Sequence, residues 1–299
     1  MSIGRRAPSL RTLVATIALI ASGCTLIPPP DGAAPLRYRD KIFTAVDTTA
    51  DVTYGSAPDI NNVAEILKLD VYEPHGDTAT ARPAVVLVHG GAFFFGDKQM
   101  ADVVDLANEY AKRGIVAVSI DYRLLAPSGC VGPDDPSPTC VAAAFGAQHD
   151  AQAAVRWLRT NATTYHVDVD RIAMQGSSAG AMTALLAAYR SDDPGTSGNP
   201  GPSSAIGGAI SLSGGVPGIA TFMNVGDAPA LLFHGTADDI IPFDWTVDTY
   251  RAAIAAGLYA NLETLLGAGH VPYAQYRDFI VGQSVNFLYQ QLDLSHAEQ

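Results

Sequence analysis

The stretch Gly176-Ser177-Ser178-Ala179-Gly180 constrains this chain more than any other. It fits G-x-S-x-G with Ser178 at the centre. Ahead of it, Arg171-Ile172-Ala173-Met174-Gln175 reads as a short buried strand. Behind it, Ala181 to Ala188 reads as a helix of small and apolar residues. Five letters alone are a weak signal, but strand before and helix after is the context the motif requires. A serine on so sharp a turn has its hydroxyl pushed clear of the backbone. Glycines at the flanks let the two elements close that tightly. The helix N-terminus beneath the serine favours developing negative charge. Ser178 is therefore a candidate nucleophile.

The rest of the chain supplies a fold in which such a turn makes sense. Ile42 to Tyr54 and Ile66 to Tyr72 read as early strands, and Ala84-Val85-Val86-Leu87-Val88 as a strand buried on both faces. Lys98 to Arg113 has helical spacing and stops at Gly114. Ile115 to Ile120 is the next strand, and a helix is expected from about Gln148 to Ala162. Further strands are read at Ile206–Leu212, Ala230–His234 and Ala260–Leu266, with helices at about Phe243–Ala256 and Tyr273–Leu292. This alternation is the signature of an α/β fold with a mostly parallel sheet covered on both faces. In such sheets chemistry collects beyond the carboxyl ends of the strands. A chain of 299 residues, 48% hydrophobic and 16% charged, can bury one large core without a second domain. A net charge of −12 argues against nucleic acid as a partner.

The N-terminus reads as a targeting segment over residues 1–23. Arg5, Arg6 and Arg11 precede the apolar run Leu13–Ala21, which is too short to span a bilayer comfortably. Ala21-Ser22-Gly23-Cys24 resembles a bacterial lipobox, making Cys24 a candidate lipidation site. An ordinary cleaved signal peptide is the alternative. Arg5-Arg6 fits a twin-arginine signal poorly. Residues 24–40, with Pro28-Pro29-Pro30, read as a stiff spacer holding a domain of residues 41–292 off a membrane. Contact with the membrane is expected through that anchor alone, on the extracytoplasmic side. Cys130 and Cys140 remain. In an exported chain they read as a disulfide, closing a short loop for about 2.5–3 kcal/mol. No metal or cofactor is implied, since no ligand set stands at metal spacing.

A serine hydroxyl needs a base to take its proton. The order expected for this turn is serine, acid, histidine. Of His234, His270 and His296, His270 stands in the glycine-rich loop after the last strand and suits a side chain reaching into a cleft. His234 ends a buried strand and reads as a local packing or hydrogen-bonding residue. The acid is Asp238 or Asp239, in the loop after the preceding strand. That loop, His234-Gly235-Thr236-Ala237-Asp238-Asp239-Ile240-Ile241-Pro242, resembles the H-G-T-x-D-x-x-V-P acid loop of α/β-hydrolase esterases. The resemblance puts the acid on Asp238.

His89-Gly90-Gly91-Ala92-Phe93 resembles the H-G-G-[GA] loop of carboxylesterases and hormone-sensitive-lipase-like esterases. By that match, Gly90 and Gly91 join Ala179 in offering N–H groups to an oxyanion, and His89 fixes the loop. Asp121-Tyr122-Arg123-Leu124, Val155-Arg156-Trp157-Leu158-Arg159 and Asp168-Val169-Asp170-Arg171-Ile172 are also similar to these families, where they look structural. The resemblance covers about Ala84 to Phe287. It implies an α/β-hydrolase fold and an esterase with a Ser178, His270 and Asp238 triad.

Only Ser213 to Ala228 separates two strands where other hydrolases insert a lid. Short acyl chains, or esters hanging from a bulky scaffold such as acylated polysaccharide, are therefore expected as substrates. Phe93, Phe94 and Phe95 are candidates for an acyl pocket. A serine peptidase of the same fold and a non-catalytic surface lipoprotein are the rivals. The first usually adds a domain or lid, and the second would not react with a serine-directed probe. If His270 acts as base, activity should fall below about pH 6–7.

Overall fold

The computed structural model describes residues 26–130 and 137–297. An eight-stranded sheet runs through it: β1 (Val46–Pro58), β2 (Ala64–Pro74), β3 (Arg82–Val88), β4 (Val116–Ile120), β5 (Val167–Ser177), β6 (Ala209–Leu212), β7 (Ala230–Gly235) and β8 (Ala260–Leu265). The order across the sheet is β1-β2-β4-β3-β5-β6-β7-β8. β1 and β2 form an antiparallel hairpin, β2 pairs antiparallel with β4, and every pairing from β4 to β8 is parallel.

The central strands are apolar at successive positions because both faces are covered. Val86, Val118, Met174 and Leu232 face one core, built with α2 (Pro138–Thr160) and α4 (Ala179–Tyr189). Val85, Ala117, Ala173 and Leu231 face the other, built with α1 (Ala101–Ala111) and α6 (Tyr273–Gln291). A one-turn helix, α3 (Ala162–Tyr165), precedes β5, and α5 (Phe243–Ala255) precedes β8. The chain runs from β3 to β4 on one side of the sheet and then crosses to β5 on the other side of β3. The reversal of strand order opens a crevice beyond the carboxyl ends of β3 and β5, which lie in register with Val88 opposite Gly176.

Two expectations shift. Helix α2 begins at Pro138, not near Gln148. Proline is suited to the first helical turn, and the Ser137 hydroxyl caps the helix by accepting the Cys140 N–H at 3.2 Å. The Pro- and Ser-rich stretch that reads as loop is thus partly a helix start. The segment read as a spacer is also docked on the domain over residues 27–40. Ile27 and Tyr38 are buried in the second core. Gln283 accepts the Ile27 N–H at 2.8 Å, and Asn286 donates to the Ile27 carbonyl at 2.9 Å. A row of prolines leaves carbonyls without their own partners, and α6 and Arg39 supply them. Arg39 reaches the Pro30 carbonyl at 2.8 Å.

The stretches that look structural do hold the frame. Arg123 and Asp150 form a buried pair, joined at 2.8 and 3.0 Å, which ties the end of β4 to α2. Arg156 collects the carbonyls of Pro194 and Gly198 and the Ser204 hydroxyl, pinning the loop before β6. Cys130 and Cys140 are disulfide-bonded, with Cα atoms 5.6 Å apart. Cys24 and the targeting segment lie outside the described residues. Among the described residues no helix is long and apolar enough to cross a membrane.

Candidate active site

β5 ends at Ser177 and α4 starts at Ala179, so Ser178 is the whole of the turn between them. It takes φ 52° and ψ −117°, a conformation an L-residue adopts only under constraint. Close packing supplies that constraint. A Cβ on Gly180 would stand 2.1 Å from the Val88 carbonyl oxygen, and one on Gly176 would stand 2.2 Å from that of Gly180. Only glycine at both positions lets β3, β5 and α4 meet.

His270 follows β8 and reaches across the carboxyl ends of the strands. Its Nε2 lies 2.9 Å from Ser178 Oγ, and its Nδ1 lies 2.8 Å from Asp238 Oδ2. The carboxylate can only accept, so Nδ1 carries the proton and Nε2 faces the serine with its lone pair. Val271 anchors the loop by donating its N–H to Ser213 Oγ at 3.0 Å. The imidazole keeps about 20% of its surface exposed, while the Asp238 side chain is fully buried.

Burial alone would push the Asp238 carboxyl up. Hydrogen bonds from His234, His270 and the backbone N–H groups of Ile241 and Ile240 outweigh it and hold the group well below the usual carboxylate range. Asp239 is not among the groups at this cluster. His234 packs and hydrogen-bonds locally, as its place at the end of a buried strand suggests, and the feature not foreseen is that one of its partners is the Asp238 carboxylate. His234 is fully buried, with Nε2 3.0 Å from Asp238 Oδ2 and 3.0 Å from the Ile241 carbonyl, and Nδ1 2.6 Å from Thr246 Oγ1. Its position four residues before Asp238, at the end of a strand, was the available signal. Nothing in the sequence says that the chain turns back there.

The loop after β3 lies directly against the serine. A Cβ on Gly90 would sit 3.3 Å from Ser178 Cβ. Gly91 takes φ +115°, and a Cβ there would collide with the Phe95 carbonyl oxygen at 1.9 Å. Two of the loop's carbonyls are tied down by hydrogen bonds. His89 Nδ1 donates to the Gly90 carbonyl at 2.6 Å, and Tyr122 donates its hydroxyl to the His89 carbonyl at 3.1 Å. The His89 and Tyr122 rings stack at 4.3 Å. Burial holds the His89 imidazole below its ordinary pKa, so it stays neutral with its proton on Nδ1. Fixing the Gly90 carbonyl also fixes the Gly91 N–H across the same rigid peptide, on the opposite side.

An apolar cavity of about 370 Å3 opens beside these elements. Its walls include Phe93, Met182, Phe145, Phe222 and Trp245, together with the cysteine pair. Of the three clustered phenylalanines only Phe93 lines it. Phe94 and Phe95 are about half exposed. The Ser213–Ala228 connection is short, yet with the first turns of α2 it covers this cavity. Among the described residues, no group of three or more His, Cys, Asp or Glu side chains is placed to hold a metal ion.

Such a sheet, with a serine turn after β5, an acid after β7 and a histidine after β8, is the α/β-hydrolase fold. Within that fold the chain is similar to esterases and lipases. A family model described as BD-FAE matches residues 69–204, and one described as Phospholipase/Carboxylesterase matches residues 149–279. Lipase 1 of Geotrichum candidum is 32% identical over 134 residues, 43% of this chain and 23% of the lipase. Esterase LipI of Mycobacterium tuberculosis is 34% identical over 113 residues, 38% of this chain and 31% of the esterase. The chain thus spans about a quarter to a third of the length of these relatives. Among solved structures, a truncated carbohydrate esterase from gut microbiota superposes with a TM-score of 0.67 at 18% identity. That match covers 85% of this chain and 98% of the other. Thermogutta terrifontis esterase 2, phosphorylated by paraoxon, gives 0.64 at 25% identity, covering 85% and 97%.

Proposed function

We propose that the protein is a serine carboxylesterase. Ser178 Oγ attacks the ester carbonyl while His270 Nε2 takes its proton. Asp238 holds the imidazole in the required tautomer and offsets its charge once it is protonated. The N–H groups of Gly90, Gly91 and Ala179 receive the oxyanion, with the N-terminus of α4 adding to the field. Collapse of the tetrahedral intermediate breaks the carbon–oxygen bond, and His270 returns the proton to the departing alcohol. Water then repeats the sequence on the acyl-enzyme, with His270 again as base, and releases the acid. The observation that carries this reading is the 2.9 Å and 2.8 Å chain from Ser178 through His270 to Asp238.

A fluorophosphonate probe tests it. The wild type should be labelled stoichiometrically and Ser178→Ala not at all, with ester hydrolysis lost in parallel by about 10⁴-fold or more. An unlabelled wild type would overturn the reading in favour of a binding protein. The relative phosphorylated by paraoxon makes an organophosphorus reagent a natural choice.

Export with lipidation at Cys24 is part of the same proposal. Its support is the apolar run that ends at a cysteine, and the disulfide in the folded domain, a bond that persists in oxidising compartments. Incorporation of an alkyne-tagged fatty acid, lost in Cys24→Ala, is the expected result. No incorporation would leave a cleaved, soluble form.

A further inference from the structure

The cavity adjoins the site through residues that flank the Gly90–Gly91 loop, Ser178 and Asp238, while Ser178, Gly90, Gly91, Asp238 and His270 do not themselves line it. The leaving alcohol must depart near His270 Nε2 to take its proton, so the acyl group points the other way. The cavity wall touches each of the other site elements. Phe93 follows the Gly90–Gly91 loop, Met182 stands one turn beyond Ser178 on α4, and Ile241 follows Asp238. Among the described residues none from the His270 loop, 266–272, contributes to it. The outer wall is the first two turns of α2, with Val141, Ala144 and Phe145, and it is held by the Cys130–Cys140 disulfide. Cys130 in turn donates its N–H to the Ala92 carbonyl at 3.0 Å, and Ala126 donates to that of Phe93 at 3.1 Å. The same short stretch therefore ties the cavity wall to the loop that carries Gly90 and Gly91. On the far side Phe145 meets Phe222 edge to face at 6.3 Å. Arg190 stacks on both rings, 3.8 Å from the first and 4.5 Å from the second.

We propose that this cavity receives the acyl group of the substrate, that the acyl groups it selects are apolar and of medium length, and that the disulfide fixes the wall which sets that length. The proposal rests on the esterase reading above and gives it a substrate class. Taking the ~30 Å3 that one water occupies in the liquid as the measure of a heavy atom, about 370 Å3 is room for roughly a dozen. Acetyl leaves most of the space unused, and palmitoyl exceeds it. Each methylene that leaves water for such a wall favours the reaction by about threefold to fourfold until the space is full.

The test compares kcat/KM on p-nitrophenyl esters from acetyl to palmitoyl. Wild type should favour octanoyl over acetyl by at least about 30-fold and decline at palmitoyl. Ala144→Phe, which places a ring in the cavity, should lower the octanoyl-to-acetyl ratio at least about tenfold. The double variant Cys130→Ser/Cys140→Ser should lower it about threefold to tenfold and flatten the chain-length profile. Thermal melts establish that each variant is folded, and wild type treated with dithiothreitol repeats the disulfide arm without a substitution. A preference for acetyl, or a ratio unmoved by Ala144→Phe, overturns the cavity assignment. A profile unmoved by loss of the disulfide removes the cysteines' role.

A second readout does not depend on turnover. Trp245 emission, followed in a Trp157→Phe background, should respond to octanoate, and much more weakly once Ala144→Phe is added. If no ester is hydrolysed but this binding is seen, the esterase reading falls and the cavity stands. If neither is seen, both fall.

Discussion

At the scale of residues, the site depends on a few side chains held in conformations they would not choose. Ser178 has positive φ because β3, β5 and α4 leave it no alternative. Replacing it by glycine should relieve that strain. Ser178→Gly is expected to be about 1 kcal/mol more stable than Ser178→Ala, read as a difference in urea midpoint at equal m-value. His234 is the other revealing residue. It shares the Asp238 carboxylate with His270 from the buried side, so the acid is held between two imidazoles and two backbone N–H groups. His234→Ala should lower kcat roughly 10- to 100-fold through misplacement of Asp238 with little change in KM. Its acid limb should move to higher pH, because a carboxylate with one donor fewer attracts the imidazolium proton more strongly. A variant that loses only thermal stability, with kcat and its pH profile intact, would reduce His234 to packing. The Ser178 and His270 positions were legible in the sequence because each follows a strand that the apolar pattern delimits, whereas the pattern left the acid at Asp238 or Asp239 and the resemblance to α/β-hydrolase esterases chose Asp238. The role of His234 on that carboxylate was not legible, since its partner lies across a reversal of the chain that no periodicity announces.

At the scale of elements, the second layer is fastened by a charge cluster on Glu109 of α1. Lys41 from the N-terminal segment, Arg113 beyond α1 and Arg277 of α6 each lie 2.7 Å from its carboxylate. Burial opposes ionisation, but these three cations outweigh it and bring the carboxyl down to about 2. A folded-state value below the unfolded one means that the stabilisation is present above about pH 4.5. It is lost as pH falls from there through about 2. Thermal melts over that window should show a steeper fall for wild type than for Glu109→Gln, which has no proton to bind. Parallel curves would mean that the cluster contributes nothing to acid stability. The pairs were invisible in the sequence. Glu109 and Arg113 are one helical turn apart, but Lys41 and Arg277 reach them only because the N-terminal segment and α6 pack on the same face.

At the scale of the whole molecule, the folded unit is larger than the domain read from the sequence. Residues 27–40 complete the second core and donate to or accept from α6. A protein starting at residue 41 should therefore be less stable than one starting at residue 26 by roughly 3–6 kcal/mol, the burial of Ile27 and Tyr38 together. Equal urea denaturation curves for the two would show the segment to be a passive strap. Strand and helix alternation, the turn at Ser178 and the glycine loop after β3 were set by the sequence alone. Each is local, since backbone conformation and burial pattern are decided within a few neighbouring residues. The docking of residues 27–40, the second imidazole on Asp238 and the apolar cavity behind the disulfide were decided only by the tertiary structure. These depend on which distant surfaces meet, and that follows from packing the two cores against one sheet.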